Sequence, residues 1–445
     1  MASDSLVTQF EQQLQGILNA LPVAPHKFLI AFSGGRDSTA LLHLAAQLLP
    51  KSQLLAVHIN HQLSENASQW QQHCQHQAEQ LSIEFKSVSV QLNPQPRQSL
   101  EELARDARYQ VFSQLMQPDD ALLVGHHLQD QSETLLLRLF RGAGVKGLSA
   151  MADWRMFASG YLLRPLLHLP RQQLTEWLKL QSIEWIEDES NAENLFRRNL
   201  IRNQFLPQIR QQWQGIDRVL SATARRMQQA NRLLDQLADQ DLAQVLLPGN
   251  RLDLKPLQQL DDDRLINLLR YWLSQAGQRS LPEIRLQEFV RQLKSANSTA
   301  SPRQDLTDGS FMACYGQMLW LVEGRLIEQL QQQAQNSFWN PQQQPILTTE
   351  SFELSAQGNE LPNVELRLVF GVTGLKLQCS TSGRFESVGR LMNQAGIPLW
   401  YRDYWPLIVD DQGLVAIAGI KMATRTDNVN YKILCDFSAL PTGIN

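Results

Sequence analysis

The segment Lys27-Phe28-Leu29-Ile30-Ala31-Phe32-Ser33-Gly34-Gly35-Arg36-Asp37-Ser38-Thr39, with the helix-forming run 40–49 behind it, decides the fold. The block 27–32 is short and apolar and reads as a buried strand; two glycines then turn the chain into a helix. Three more strand-like blocks follow at 54–59, 83–90 and 121–126, separated by helix-length stretches at 38–49, 64–81 and 99–117. Strands spaced by helices need crossovers, which are right-handed and lay helices on both faces of a parallel sheet. The expected class is α/β, with an N-terminal doubly wound, mostly parallel sheet. Ligands of such sheets bind beyond the carboxyl ends of the strands, so the loops that follow strands hold the candidate site.

Gly34 and Gly35 let the backbone approach a ligand with its N–H groups aimed at it. The helix that follows directs the positive end of its dipole at the same spot. Ser33, Gly34, Gly35, Arg36, Asp37 and Ser38 therefore form a candidate phosphate cradle. The Walker A pattern is absent, and with it the lysine that reaches a terminal phosphate. A loop that grips phosphates without that lysine suits chemistry at the α-phosphate, with pyrophosphate leaving. A second glycine pattern, 142–147, matches G-x-G-x-x-G in letters only: a helical run precedes it where a dinucleotide site needs a strand.

Outward from this core, 445 residues correspond to roughly two to four domains. Hydrophobic residues at 43% and charged residues at 19% exclude wholesale disorder. After Arg171 helix formers dominate, over 195–245 and again over 255–295, where leucines at 257, 260, 265, 268, 269 and 273 share a face. The stretch 318–323 reads as a strand, and the Gln/Asn/Pro-rich stretch 331–345 as a linker. Beyond it, short strands at 364–370, 414–420 and 431–437 and one short helix near 386–395 predict a small α+β module. The expected division is 1–215 for the nucleotide-binding domain, 216–340 for a mostly helical domain, and 346–445 for the small C-terminal α+β domain. No run approaches the roughly 18 apolar residues of a membrane span. The N-terminus lacks a basic start followed by an apolar block. Cys74, Cys314, Cys379 and Cys435 are scattered singly, which fits neither a disulfide framework nor a C-x-x-C site. These features read as cytoplasmic.

The net charge of −4 hides a local asymmetry. Between Arg197 and Arg232 stand eight arginines and one acid, Asp217, whereas 235–263 holds seven aspartates. Such a block suits an anionic partner. Arg198 and Arg202 are four apart, hence on one helix face, and are candidate phosphate or substrate contacts. His126, His127, Asp130 and Glu133 cluster just past the fourth strand-like block, and Asp130 and Glu133 lie one turn apart. Two carboxylates there can hold Mg²⁺ or accept a proton from an attacking amine. No cysteine or further histidine completes a zinc set. His58 and His61 follow a strand and are as readily structural as substrate-binding; Trp185 and Trp213 read as core residues.

The S-G-G-x-D-S loop after the first strand resembles the signature of the PP-loop ATP pyrophosphatase superfamily. Within it the chain is similar to the tRNA(Ile)-lysidine synthetase family. His58-Ile59-Asn60-His61 follows the second strand as in that family. The run from His127 to Thr134 resembles its H-x-D-D-Q-x-E-T motif, and the Arg141 to Leu148 run follows it. Leu163-Arg164-Pro165-Leu166, Trp185-Ile186-Glu187-Asp188-Glu189-Ser190-Asn191 and Arg198-Asn199-Leu200-Ile201-Arg202 continue the match, as does Gly396-Ile397-Pro398-Leu399-Trp400-Tyr401-Arg402-Asp403 near the end. The resemblance departs at Gln129, where the family has the first of two aspartates. It departs again where a lysine pair is replaced by Gly383-Arg384 and Gly389-Arg390.

The resemblance implies a ligase that uses ATP, with Mg²⁺, to adenylate the C2 oxygen of the wobble cytidine in CAU-anticodon tRNA(Ile). Free L-lysine then displaces AMP to leave lysidine. Asp37, His127, Asp130 and Glu133 become the candidate catalytic residues, with Asp37 and Asp130 as candidate Mg²⁺ ligands. Arg141, Arg198, Arg202 and Arg402 become substrate or tRNA contacts, and a homodimer stays open. Two rivals remain at this stage. One is another PP-loop enzyme, either a tRNA thiolase, whose cluster-bearing type needs paired cysteines, or a small-molecule adenylating synthetase. The other is a non-enzymatic RNA-binding protein.

Overall fold

A computed structural model describes residues 2–62, 66–92, 100–187, 197–296, 301–349, 352–358, 365–371, 374–379, 384–424 and 431–436. The chain divides into two compact units, Met1–Leu233 and Leu234–Asn445. Among the described residues no helix is long and apolar enough to cross a membrane.

The first unit is built on β1 (Phe28–Ala31), β2 (Leu54–Asn60), β3 (Glu84–Ser89), β4 (Ala121–Leu123), β5 (Trp154–Phe157) and β6 (Gly160–Leu163). Their order is β3-β2-β1-β4-β6-β5. All neighbouring pairs are parallel except β5 with β6. The four strands expected from the sequence are present; the hairpin β5–β6, with four residues per strand, was too short to stand out. Alternation along each strand sorts the core into two faces. Phe28, Ile30, Phe32, Ala56, Leu123 and Leu163 point to one face and meet α1 (Ala2–Asn19), α2 (Arg36–Leu48), α3 (Ala67–Gln80) and α7 (Arg171–Leu180). Leu29, Leu55, Val57, Leu122 and Leu162 point to the other and meet Phe112 and Met116 at the end of α4 (Leu100–Leu115). Helices on both faces make the sheet doubly wound, as expected. Helix α1 is held by Leu6, Phe10, Leu14 and Ile17, spaced three or four apart and all buried.

Helix α5 (Leu128–Phe140) follows β4, and α6 (Val145–Leu148) is a single turn. The 142–147 glycine pattern thus lies between a helix and a four-residue turn, which is not the strand–loop–helix context of a dinucleotide site. Past residue 196 come α8 (Arg197–Leu200), a π-helical turn (Ile201–Phe205), α9 (Leu206–Gln212) and α10 (Ile216–Val245).

The second unit opens with an antiparallel five-stranded sheet formed by 246–247, 251–253, 318–322, 311–315 and 303–305. Leu265, Leu268, Leu269 and Trp272 of the helix Asp262–Gln275 pack with Leu286, Phe289 and Leu293 of Glu283–Ser295. The middle region is therefore helical as expected but also carries a sheet. A second five-stranded sheet and two smaller ones complete the α+β C-terminal part. The 331–345 stretch is not an open linker. Helix Gly324–Gln333 extends into it, and Ser337–Trp339 pairs with Leu366–Val369, with Trp339 only 2% exposed. Glutamine-rich composition concealed one anchoring tryptophan.

Candidate active site

The loop between β1 and α2 is folded on its own hydroxyls. Ser38 Oγ donates to Gly35 O at 2.9 Å, Thr39 Oγ1 to Gly34 O at 3.1 Å, and Ser33 N donates to Ser38 Oγ at 3.2 Å. Gly34 sits at φ +80°, and a Cβ there would meet Ile186 Cδ1 at 2.5 Å and Cys74 Sγ at 2.8 Å. Ile186 N also donates to Gly34 O at 2.9 Å. Gly35 caps α2 from extended backbone and has no side chain to occupy the first N–H groups of the helix. Those donors face outward with the helix dipole behind them. A Cβ on Gly125, just after β4, would lie 3.1 Å from the Asp37 carbonyl carbon and oxygen. That glycine lets the β4 exit run directly against the loop; glycine following a strand was its signal in the sequence.

Asp37 opens α2, and His127, 2% exposed, caps α5. His127 Nδ1 accepts from Asp130 N at 3.4 Å, and Asp130 Oδ2 accepts from His127 N at 3.0 Å. With Nδ1 accepting, the ring proton belongs on Nε2, which lies 3.5 Å from both Asp37 Oδ2 and Asp130 Oδ2. One imidazole thereby joins the phosphate loop to α5. Burial raises the Asp37 carboxyl pKa, but His127 and Arg171 outweigh it and hold the group below its ordinary value.

On the next turn of α5, Asp130 and Glu133 face two arginines. Arg198 donates to Glu133 Oε2 through Nε at 2.9 Å and to Asp130 Oδ1 through Nη2 at 2.8 Å. Arg202 donates to Glu133 Oε1 through Nε at 2.6 Å, and through Nη2 to Asp130 Oδ1 and Glu133 Oε2, each at 2.9 Å. The carboxylate side chains are 8% and 2% exposed, the arginines 24% each. Burial disfavours the charged Asp130, yet His127, Arg198 and Arg202 keep it ionised far below the usual carboxylate range. Burial also pushes His126 down to about 3, so its imidazole is neutral.

Of these groups Asp37, His126, Arg198 and Arg202 border a cavity of about 1080 Å³, while His127, Asp130 and Glu133 are buried and not part of its lining. The loop residues Ser33 and Gly35 to Ser38, the exits of β2 and β4, Arg105, Arg108 and Tyr109 of α4, Trp185 to Glu187, and Arg198 and Arg202 line it. The size suits a nucleotide with a second ligand. His58 and His61 both line it, and His58 Nδ1 is also 3.0 Å from Phe32 O. Arg105, Arg108 and Arg171 were missed in the sequence, since nothing in their spacing ties them to the loop; Ile186 stood out only as part of the Trp185 motif. Asp188 to Asn191 of the Trp185 motif lie outside the described residues.

Two expected contacts fall elsewhere. Arg141 is exposed at the far end of α5, about 16 Å along the helix from Asp130. Arg402 belongs to the second unit and is buried. Its Nε donates to Ile397 O, its Nη1 to Gly389 O, and its Nη2 to Tyr315 Oη and Asn393 Oδ1. The expectation of a substrate contact there gives way to a packing role, because every guanidinium nitrogen is engaged within its own unit. Trp213, expected in the core, is 62% exposed, whereas Trp185 packs against the core and borders the cavity.

Among the described residues no group of three or more His, Cys, Asp or Glu gathers around a common point. A metal here would rely on one or two carboxylates and substrate phosphates, the mode Mg²⁺ favours. Asp37 fits that role: its Oδ1 is buried without a hydrogen-bond donor, with Arg171 Nε 3.4 Å away. Asp130 does not fit in this arrangement, since Oδ1 is held by both arginines and Oδ2 by His127.

Residues 6–209 match the PP-loop domain family, 252–320 the TilS substrate binding domain and 366–433 the TilS substrate C-terminal domain. The tRNA(Ile)-lysidine synthase of Pseudomonas putida is 36% identical over 408 residues, covering 89% of this chain and 93% of that protein. The Coxiella burnetii enzyme of the same name is 35% identical over 406 residues, covering 88% of each. A U34-tRNA thiolase from Methanococcus maripaludis covers 50% of this chain and 80% of its own at 14% identity, with a TM-score of 0.41. With all three domain families in order and this identity over almost the whole length of both sequences, the chain belongs to the tRNA(Ile)-lysidine synthase family.

Proposed function

We propose that this ATP-dependent ligase adenylates the C2 oxygen of the wobble cytidine of CAU-anticodon tRNA(Ile) and joins free L-lysine there, releasing AMP and pyrophosphate. The observation that carries the reading is the meeting, around one cavity, of an uncapped helix N-terminus and of Arg198 and Arg202, whose carboxylate partners are joined to the loop through His127. The C2 oxygen of cytosine is a poor leaving group. Its attack on the α-phosphate forms a P–O bond and expels pyrophosphate, and the outgoing charge falls on the backbone N–H groups of the Ser33–Ser38 loop. Arg36 and Arg171 stand beside the same loop. Mg²⁺ held at Asp37 would add charge neutralisation at the phosphates.

The lysine ε-nitrogen then forms a bond to C2, and the C2–O bond breaks with AMP as the leaving group. A free ammonium, of pKa about 10.4, must lose a proton to attack. Asp130 and Glu133 are the anions that would hold it, and Glu133 the one that would receive that proton. His127 orients Asp37 and Asp130 toward each other. An unpaired anticodon-loop base can be splayed into such a cavity. Arg197, Arg218, Arg225, Arg226 and Arg232, all exposed, together with Trp213, offer cations and an aromatic face for the loop around it.

The test is incubation with ATP, radiolabelled lysine and total tRNA, followed by nucleoside analysis. Stable label in a modified cytidine is expected, with AMP formation lost in Asp37→Ala. Label appearing only as a base-labile ester, or in no tRNA, overturns the reading; a variant that keeps RNA affinity while losing AMP formation excludes a mere binder.

A further inference from the structure

Resting on that reading, we infer that the incoming lysine ammonium takes the place of Arg202 at Glu133, and that the displaced guanidinium moves to the phosphates in the cavity. Each of the four oxygens of Asp130 and Glu133 already accepts a hydrogen bond from Arg198, Arg202 or the His127 backbone. Two negative charges are matched by two positive ones in a largely buried cluster. A third cation added there would be desolvated and left without a counter-charge. Lysine can enter at balanced charge only if one guanidinium leaves.

Arg202 is the better placed of the two to move. It stands on the π-helical turn Ile201–Phe205, a local irregularity of the kind that recurs at functional sites. It borders the cavity, as Arg198 does, and Asp37 of the phosphate loop is among the groups that raise its pKa. Both arginines bridge the two carboxylates, so Arg198 still holds Asp130 Oδ1 and Glu133 Oε2 when Arg202 departs. The exchange makes the two ligands cooperative: lysine frees a cation for the nucleotide, and the nucleotide draws that cation away from the lysine site. Reciprocity follows from linkage.

Calorimetry on the full chain, without tRNA, tests this with L-lysine and the non-hydrolysable analogue α,β-methylene-ATP plus Mg²⁺. The analogue is expected to tighten lysine binding by about 5- to 50-fold, and lysine to tighten the analogue by the same factor. Arg202→Gln should bind lysine unaided about as tightly as the wild type does with the analogue, and show no coupling. Glu133→Gln, which removes the main holder of Arg202, should bind the analogue several-fold more tightly than the wild type in the absence of lysine. A coupling factor of one with lysine bound, coupling retained in Arg202→Gln, or unchanged analogue affinity in Glu133→Gln each overturns the exchange while leaving the lysine site standing. A wild-type chain that binds the analogue but no lysine brings down the ligase reading and the exchange together.

Discussion

Replacing the two loop glycines one at a time separates what the loop does for the fold from what it does for the ligand. In Gly34→Ala the new methyl would sit 2.5 Å from Ile186 Cδ1 and 2.8 Å from Cys74 Sγ, on a backbone at φ +80°. The positive φ costs about 1–2 kcal/mol for a residue with a Cβ. Overpacking against two neighbours adds about 1–3 kcal/mol. A loss of about 2–5 kcal/mol is therefore expected. In Gly35→Ala the backbone, at φ −73° and ψ 160°, suits any residue. The nearest atoms to its Cβ are Ser33 Oγ at 3.4 Å and Ile186 O at 3.9 Å, so the fold should lose less than about 1 kcal/mol. Gly35 borders the cavity, however, and a methyl there holds the phosphates off the helix N-terminus. A displacement near 1 Å costs on the order of 100-fold in rate. Urea unfolding of the full chain reads the first effect, and nucleotide binding with AMP-forming turnover reads the second. A wild-type unfolding midpoint in Gly34→Ala, or full turnover in Gly35→Ala, refutes the assignment of these roles.

Trp213→Ala should weaken tRNA binding by about 1–3 kcal/mol, the value of one base stacked on an aromatic ring, while ATP affinity stays unchanged; filter binding at fixed salt checks this, and unaltered tRNA affinity rules out a stacking role. Gln129→Asp should destabilise by about 1–3 kcal/mol, because the amide donor to Asp217 Oδ2 is lost and a carboxylate is set beside another; urea unfolding at neutral pH tests it, and a neutral outcome contradicts the contact. Stability should fall on acidification below about pH 6.5, because the unfolded chain then protonates histidines that the fold keeps neutral, His126 down to about 3 and also His43, His58 and His61. Asp37 and Asp130, held below their ordinary values, act in the same sense at lower pH, their contribution fading as pH drops from about 4 through the folded-state pKa values. His126→Gln should flatten the dependence between pH 4 and 6.5, measured by denaturant unfolding at each pH; an unchanged slope refutes the buried neutral imidazole.

The parallel sheet and its phosphate loop were legible because they depend on local signals. Apolar runs of strand length, helix-length spacers and a Gly-Gly turn each act within a few residues of themselves. The cluster on α5 was half legible: Asp130 and Glu133 share a face by helical period alone, and so do Arg198 and Arg202. That the two pairs meet is a tertiary fact, spanning 65 to 72 residues of sequence, and it changes the chemistry by occupying carboxylates that composition left open to metal. The roles of Gly125 and Ile186 were hidden for the same reason, since their importance lies in what they touch. Trp213, read as core, is exposed, and Trp339, inside the stretch read as a linker, is buried, because a single aromatic residue outside a periodic run carries no directional signal.

Gln129 shows why the departure from the family motif leaves the site intact. On a helix, adjacent residues point about 100° apart, so Gln129 and Asp130 cannot serve the same partners. Gln129 Oε1 accepts from Arg171 N at 2.9 Å, and its Nε2 reaches Asp217 Oδ2 at 3.5 Å. Asp217 is in turn bound by Arg210 through Nε at 2.8 Å and Nη2 at 3.0 Å. The side chain thus ties the start of α5 to the starts of α7 and α10, a task that needs one acceptor and one donor, which an amide has and a carboxylate lacks. The cluster facing the cavity keeps two carboxylates against two guanidiniums. A buried arrangement of that kind contributes little to stability beyond what apolar packing of the same volume would give. Its two guanidiniums line the cavity, and the lysine proposed above gives the buried carboxylates behind them a role that the needs of the fold do not supply.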